Sequence, residues 1–257
     1  MRRTLPMRQV VIVAGAAAFG AGVAVCVARS RSAIGLRWRK FDFATSGMPR
    51  GPAGWVAAKT MAIGHRPFYA VVADVLDLRR DDDLLDVACG SGGLLQRQAA
   101  HVRHVAGLDA SDIQLDMARR RLGNRIGAGT AQIVKGDAAA LPWEDGRFSA
   151  VTCIYGMQFF PDPQRAVCEM YRVLRPGGRA VLTLGTSAND TTRSGEPDAW
   201  GRGLWSEGDA RRMMEDAGFT DVSISYPTGA GTSSLLDALW RAEGVPDARL
   251  VRGVKQP

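Results

Sequence analysis

The chain is short of the residues from which metal centres and disulfide frameworks are made. Its 257 residues include three histidines and four cysteines. Cys26, Cys89, Cys153 and Cys168 lie too far apart to repeat any metal-ligand spacing, so neither a metal site nor a disulfide scaffold is expected. No Gly-Lys-Ser or Gly-Lys-Thr triplet occurs, which removes a phosphate-binding P-loop. Acids are nearly missing from the first fifth of the chain: residues 1–50 carry nine bases and one acid, whereas residues 51–257 carry 24 bases against 25 acids. The net charge of +7 therefore belongs to the N-terminal segment. The near-neutral remainder lacks the basic face of a nucleic-acid binder, and no nucleic-acid partner is expected. At 46% hydrophobic and 23% charged, the composition suits a globular domain rather than a disordered or fibrous chain.

One long apolar run is present. Residues 10–28 contain no charge, no amide side chain and no proline. As a helix they would extend about 28 Å, close to the ~30 Å hydrocarbon core of a bilayer. Arg2, Arg3 and Arg8 precede the run, and Arg29, Arg31, Arg37, Arg39 and Lys40 follow it. The run reads as a single uncleaved transmembrane helix, with the more basic C-terminal side in the cytoplasm. Ala14, Ala18 and Gly22 at four-residue spacing offer a close helix–helix contact, hence a homodimer through the span. The expected organisation is a basic tail at 1–9, the span at 10–28, a basic juxtamembrane linker at 29–50, a helical cap at 51–80 and the main domain at 81–257.

The cap holds a helix from Pro67 with Phe68, Val71, Val72, Val75 and Leu76 on one face, and a weaker helix over 54–63. Beyond Asp81 strands and helices alternate. Strands are expected at 84–88, 104–108, 131–134, 148–154 and 180–184, followed by an alternating strand through Val222, Ile224 and Tyr226. Helices are expected at 92–100, from the Ser111 cap through Leu122, at 163–174 ahead of Pro176-Gly177-Gly178, and from the Ser206 cap to Gly218. Residues 235–240 read as a last strand or a helix. The alternation predicts an α/β fold with a doubly wound, mostly parallel Rossmann-like sheet, whose ligands sit at the carboxyl ends of the strands.

The first strand and its loop read LLDVACGSGG over 84–93. Glycines after a strand let a ligand approach the backbone. Asp86 at the strand end would repel a pyrophosphate, and Leu95 stands where a dinucleotide fingerprint has its third glycine. A carboxylate there suits a cation, and S-adenosylmethionine carries an ammonium and a sulfonium without any phosphate. Asp109 ends the second strand, 19 residues after Gly90, where a carboxylate can accept both ribose hydroxyls. Gly136-Asp137-Ala138 follows the third strand, placing an acceptor and backbone amides where an adenine edge would lie, although the same residues also suit a simple Asx turn.

These segments, in the order LLDVACGSGG, VAGLDAS, VKGDAAALPW, the fourth strand and RVLRPGGRAVL, resemble the class I S-adenosylmethionine-dependent methyltransferases, in particular the ubiquinone/menaquinone-biosynthesis-like group. The resemblance covers roughly residues 67–226. It implies that Asp86, Ala88 and Gly90 surround the methionine moiety, Asp109 the ribose, Asp137 and Ala138 the adenine, and Tyr155 the methyl group, with Gly92 and Ala110 also binding the cofactor. Ala88 replaces the first glycine of the general motif, and Ser149 stands where an Asp often follows Phe. A general base is needed only if the nucleophile carries a proton that must leave, and His65 and Tyr155 are the candidates. The expected activity is methyl transfer from S-adenosylmethionine to a small or lipid-like, quinone-like acceptor by a membrane-anchored enzyme. The alternative is a scaffold that binds the cofactor without turnover.

Overall fold

The computed structural model describes residues 66–184, 205–225 and 249–257, together with Gly51, Gly54, Trp55, Ala58 and Lys59. The expected span at 10–28, its small-residue face, the linker at 29–50 and His65 lie outside the described residues. Among the described residues no helix is long and apolar enough to cross a membrane.

Helix α1 (Arg66–Leu76) leads into strand β1 (Asp83–Val87), helix α2 (Gly93–Gln98), β2 (His104–Asp109), α3 (Asp112–Arg121), a short α4 (Gly123–Gly127) and β3 (Ala131–Lys135). Then follow β4 (Phe148–Cys153), a 3-10 turn (Met157–Phe159), α5 (Pro163–Val173), β5 (Leu174–Leu184), α6 (Glu207–Asp216), β6 (Thr220–Ser225) and β7 (Arg249–Val254). The sheet order is β3-β2-β1-β4-β5-β7-β6. The first five strands pair in parallel, and β7 inserts antiparallel between β5 and β6. Because the order reverses beside β1, the carboxyl ends of β1 and β4 flank the crevice where such sheets bind ligands.

The central strands β1 and β4 are buried along their whole length, on both faces of the sheet, as expected inside a parallel sheet covered by helices. Leu85, Val87, Val151 and Leu182 pack with Val167 and Met170 of α5 and Met214 of α6 on one face. Leu84, Val105, Ala150 and Val181 pack with Val72 and Leu76 of α1 and Leu95 of α2 on the other. The core takes up the expected face of α5 and Val71, Val72, Val75 and Leu76 of the expected face of α1. Two helices start at the caps read from the sequence: Ser111 accepts the Gln114 amide, and Ser206 forms a reciprocal capping box with Asp209; Asp162 caps α5 in the same way, accepting the Arg165 amide.

Three features differ from the sequence expectation. Strand β5 begins at Leu174, six residues early, because Pro176-Gly177-Gly178 bends the strand rather than ending a helix ahead of a loop: Gly177 donates to the Lys255 carbonyl and Lys255 to that of Gly178. Strand β7 was not anticipated at all, and residues 235–240, where a last element was expected, lie outside the described residues. The chain after Leu122 forms the extra turn α4.

The amino-terminal edge of the sheet is closed by buried ion pairs. Arg179 on β5 holds both oxygens of Asp82, at 3.0 and 2.6 Å, and also donates to the carbonyls of Leu76 and Asp77 at the end of α1. Ser149 donates to Asp82 at 2.6 Å and accepts the Asp83 amide, so the serine standing in place of a common acid completes this network. Burial pushes the Asp82 pKa up, but hydrogen bonds from Arg179, Ser149 and the Arg79 amide outweigh it and hold the carboxyl below the ordinary range. Burial likewise opposes Arg103 and Arg147 at Asp83, and the arginines prevail.

Arg179→Ala leaves Asp82 buried without its cation and is expected to cost about 3–5 kcal/mol at pH 7, the usual result of breaking a buried pair. Asp82 has a depressed folded pKa, so its contribution is present above the unfolded value of 3.8 and is lost as pH falls through the lower folded value. The gap between wild type and variant in urea unfolding therefore narrows below pH 4. A loss under 1 kcal/mol at pH 7 would rule out the fastening role.

Candidate active site

A cavity of about 520 Å³ opens at the carboxyl ends of β1 to β4. Ala88, Cys89, Gly90 and Ser91 enter it from the loop after β1, and Asp109 and Ala110 from the end of β2. Lys135, Gly136, Asp137 and Ala138 come from the end of β3, and Ile154, Tyr155, Gly156, Phe159, Phe160 and Pro161 from the segment after β4. Ala58, Tyr69 of α1, Asp86 of β1, Leu94 of α2, Leu108 of β2 and Gln114 of α3 complete the lining.

Asp109 ties two of these loops together. Its Oδ2 accepts the Gly90 amide and its Oδ1 the Ser111 amide, both at 2.8 Å. Each oxygen keeps further acceptor capacity, which is what a pair of vicinal hydroxyls requires. Burial raises the Asp109 pKa against the pull of the Ser111, Gly90 and Ala110 amides. Asp86 is only 3% exposed. Burial drives its pKa up to about 7, opposed by the Thr152 hydroxyl that donates to Oδ1 at 2.8 Å and reinforced by the charge of Asp109. Neither carboxylate pairs with an arginine or lysine among the described residues, in contrast to Asp82 and Asp83.

Of the residues assigned from the sequence, Asp86, Ala88, Gly90, Asp109, Ala110, Asp137, Ala138 and Tyr155 all line this one cavity. Gly92 stands one step behind it. Its φ of +73° opens α2, and a Cβ there would lie 3.0 Å from that of Ala118, so it seats α2 against α3. Asp137 is exposed and accepts the Ala139 amide at 2.9 Å, so the Asx turn and the place on the cavity wall coexist. Cys89 and Cys153 are buried.

Among the lining residues that escaped the sequence reading are Tyr69, Gln114, Phe159 and Phe160. Gln114 carried a local signal, a polar residue on the inward face of an amphipathic helix beside Leu115 and Ala118, both fully buried. It is 5% exposed, its Oε1 has no hydrogen-bond partner, and its carboxamide lies beside Gly90. A buried acceptor of this kind calls for a donor from a ligand. Two uncompensated carboxylates, an orphaned amide oxygen and an open backbone at Gly90 fit a cationic molecule that also carries hydroxyl and amino donors, as S-adenosylmethionine does.

Comparison with known proteins agrees with this geometry. A sequence profile of the methyltransferase domain family matches residues 85–182, from β1 to β5. A ubiquinone/menaquinone biosynthesis C-methyltransferase of Klebsiella pneumoniae is 30% identical over 199 residues, covering 66% of this chain and 79% of the relative. One from Methylobacterium nodulans is 46% identical over 99 residues, covering 37% of this chain and 39% of the relative. The chain thus spans less than half the length of some of the curated relatives it matches. In fold it is similar to the geranyl diphosphate C-methyltransferase of Streptomyces coelicolor, with a TM-score of 0.59, 18% identity and coverage of 82% of this chain and 87% of that one.

The raised pKa of Asp86 sets a pH dependence. A cation prefers the ionised carboxylate, so below pH 7 binding must first expel a proton. Affinity for S-adenosylmethionine is expected to rise about tenfold per pH unit from pH 5.5 and to level off near pH 7. Calorimetric titration across that range checks the slope, and a flat profile would sink the assignment of Asp86 to the cation.

Proposed function

The chain belongs to the class I S-adenosylmethionine-dependent methyltransferases of the ubiquinone/menaquinone-biosynthesis-like group, and from that premise we propose that it transfers a methyl group to a small or lipid-like aromatic acceptor of the quinone type. The observation that carries this reading is a single cavity lined by two unlike sets of residues. One set is Asp86, Asp109 and Gln114 with its orphaned oxygen; the other is Tyr69, Ile154, Tyr155, Phe159 and Phe160.

S-adenosylmethionine, when bound, supplies an electrophilic methyl group, so alignment and exclusion of water are the main tasks left to the protein. Asp86 holds the cationic end, Asp109 the ribose hydroxyls, and Asp137 with the Ala138 backbone the adenine edge. The aromatic wall offers flat apolar surface on which an acceptor ring can stack. Burial, with Tyr69 adding to it, pushes the Tyr155 phenol well above its ordinary pKa. Tyr155 therefore keeps its proton at neutral pH and acts in this reading as a hydrogen-bond donor to an acceptor oxygen rather than as the general base. Held by Asp86 and Asp109, S-adenosylmethionine would supply its methyl group to a ring carbon of the acceptor, whose displaced proton would pass to solvent, while Tyr155 holds the acceptor oxygen. The uncharged segment 10–28 and its basic flanks support anchoring at a membrane, the catalytic domain facing the cytoplasm, where a prenylated acceptor is concentrated.

The chain is expected to transfer labelled methyl from S-adenosylmethionine to dithionite-reduced 2-prenyl-1,4-naphthoquinone. Asp109→Ala should weaken cofactor binding by about 1.5–3 kcal/mol, the range for hydrogen bonds to a charged group. Tight cofactor binding with no transfer to any hydroquinone or phenol in a panel would favour the scaffold instead.

A further inference from the structure

Two non-glycine residues on the cavity wall adopt the left-handed backbone that side chains avoid: Ala88 after β1, with φ +57°, and Tyr155 after β4, with φ +60°. For an aromatic residue such a conformation persists only where its surroundings over-determine it. Around Tyr155 those surroundings can be named. Strands β4 and β5 run in register through Cys153 and Leu182 and then part. Past the end of the ladder the Tyr155 amide has lost its strand carbonyl, and it donates instead to the side-chain hydroxyl of Thr183. Thr183 is 3% exposed and its backbone is paired to Leu250 of β7, so the hydroxyl sits on a fixed support.

The next residue closes the lock. A Cβ at Gly156 would lie 2.6 Å from the Cβ of Ala88 and 2.7 Å from Cys153 Sγ. Ala88 thus fills the notch at Gly156, and the loop that meets the cofactor interlocks with the one that meets the acceptor. Thr183 is absent from the cavity lining and reaches the site only through Tyr155.

Resting on the methyl-transfer reading above, we propose that Thr183 is a positioning residue: its hydroxyl holds the Tyr155 turn left-handed, which keeps the phenol on the acceptor side of the cavity and sets turnover rather than cofactor affinity. Without that hydroxyl the half-buried amide must turn toward another acceptor, and the ring leaves its place.

The test compares Thr183→Val, which keeps the shape and removes the acceptor, with Thr183→Ser, which restores it. In the full chain, with S-adenosylmethionine and reduced 2-prenyl-1,4-naphthoquinone, Thr183→Val is expected to lower kcat about 10–100-fold while cofactor Kd stays within about twofold. Thr183→Ser should retain kcat within about threefold. An unchanged kcat in Thr183→Val, equal losses in both variants, or a loss confined to cofactor Kd would each overturn the proposal. Should Thr183→Val fail to fold, Thr183→Cys, whose thiol accepts an amide hydrogen poorly, takes its place with the same expectations.

A second readout needs no acceptor. The chain has four tyrosines, and the Tyr155 signal in the fluorine NMR spectrum of 3-fluorotyrosine-labelled protein is identified by its loss in Tyr155→Phe. That signal should stay single in Thr183→Ser and become displaced or doubled in Thr183→Val; an unmoved signal overturns the proposal. If the wild type methylates no acceptor, the methyl-transfer reading falls, and the fluorine spectrum still decides whether Thr183 holds Tyr155.

Discussion

The first strand is electrically lopsided, and the rest of the molecule is arranged around that fact. Asp82 and Asp83 at its amino end are buried against Arg179, Arg103 and Arg147, whereas Asp86 near its carboxyl end is buried with only the Thr152 hydroxyl as a hydrogen-bonding side chain. A paired carboxylate fastens; an unpaired one waits for a cation. Arg179 reaches from β5 to the end of α1, so the same pair that neutralises Asp82 also ties the helix carrying Tyr69 to the sheet. The closed edge lends rigidity to the open one. Three strand spacings along β1 separate the two roles.

A parallel sheet makes this division natural. Its strands all deliver their carboxyl ends to one edge, so side chains distant in sequence meet there without any long loop. Asp86, Asp109 and Tyr155 come from the ends of three different strands, and the Asp109 carboxylate bonds across two of the loops through Gly90 and Ser111. The antiparallel β7 lies on the far side of β5 and contributes nothing to the lining. Its work is to back β5, which in turn backs the loop after β4.

What could be read from the sequence was what is encoded locally. Glycines after an apolar run, acids at strand ends, and Ser before an amphipathic stretch are consequences of backbone geometry within a few residues, and each of those readings coincides with an element or with the cavity. Strand β7 escaped because RLVRGV, with two arginines and a glycine, carries neither an apolar run nor a statement of which strand it joins; its place depends on backbone bonds such as those between Gly177, Gly178 and Lys255, over 70 residues apart. Tyr69 escaped for a similar reason. It looks like any core residue of an amphipathic helix until the helix is set over the carboxyl ends of the strands. The Gly92 assignment shows the opposite limit: a glycine in a binding loop can be required by the packing of the next helix, in this case against Ala118, rather than by a ligand.

The two sets of lining residues also differ in how their polarity is managed. In the polar set, burial lifts Asp86 to about 7, so this carboxyl can exist neutral when the site holds no cation and charged when it does. A permanently ionised group at that depth would oppose folding at every pH above its unfolded value, while one that titrates near neutrality carries much less of that cost when the cavity is vacant. Burial also lifts the Tyr155 phenol, on the same cavity wall, well above its ordinary pKa, so it keeps its proton. The same physical cause, loss of water, thus makes one group adjustable and the other constant. Only the adjustable group belongs to the set that must match a ligand's charge.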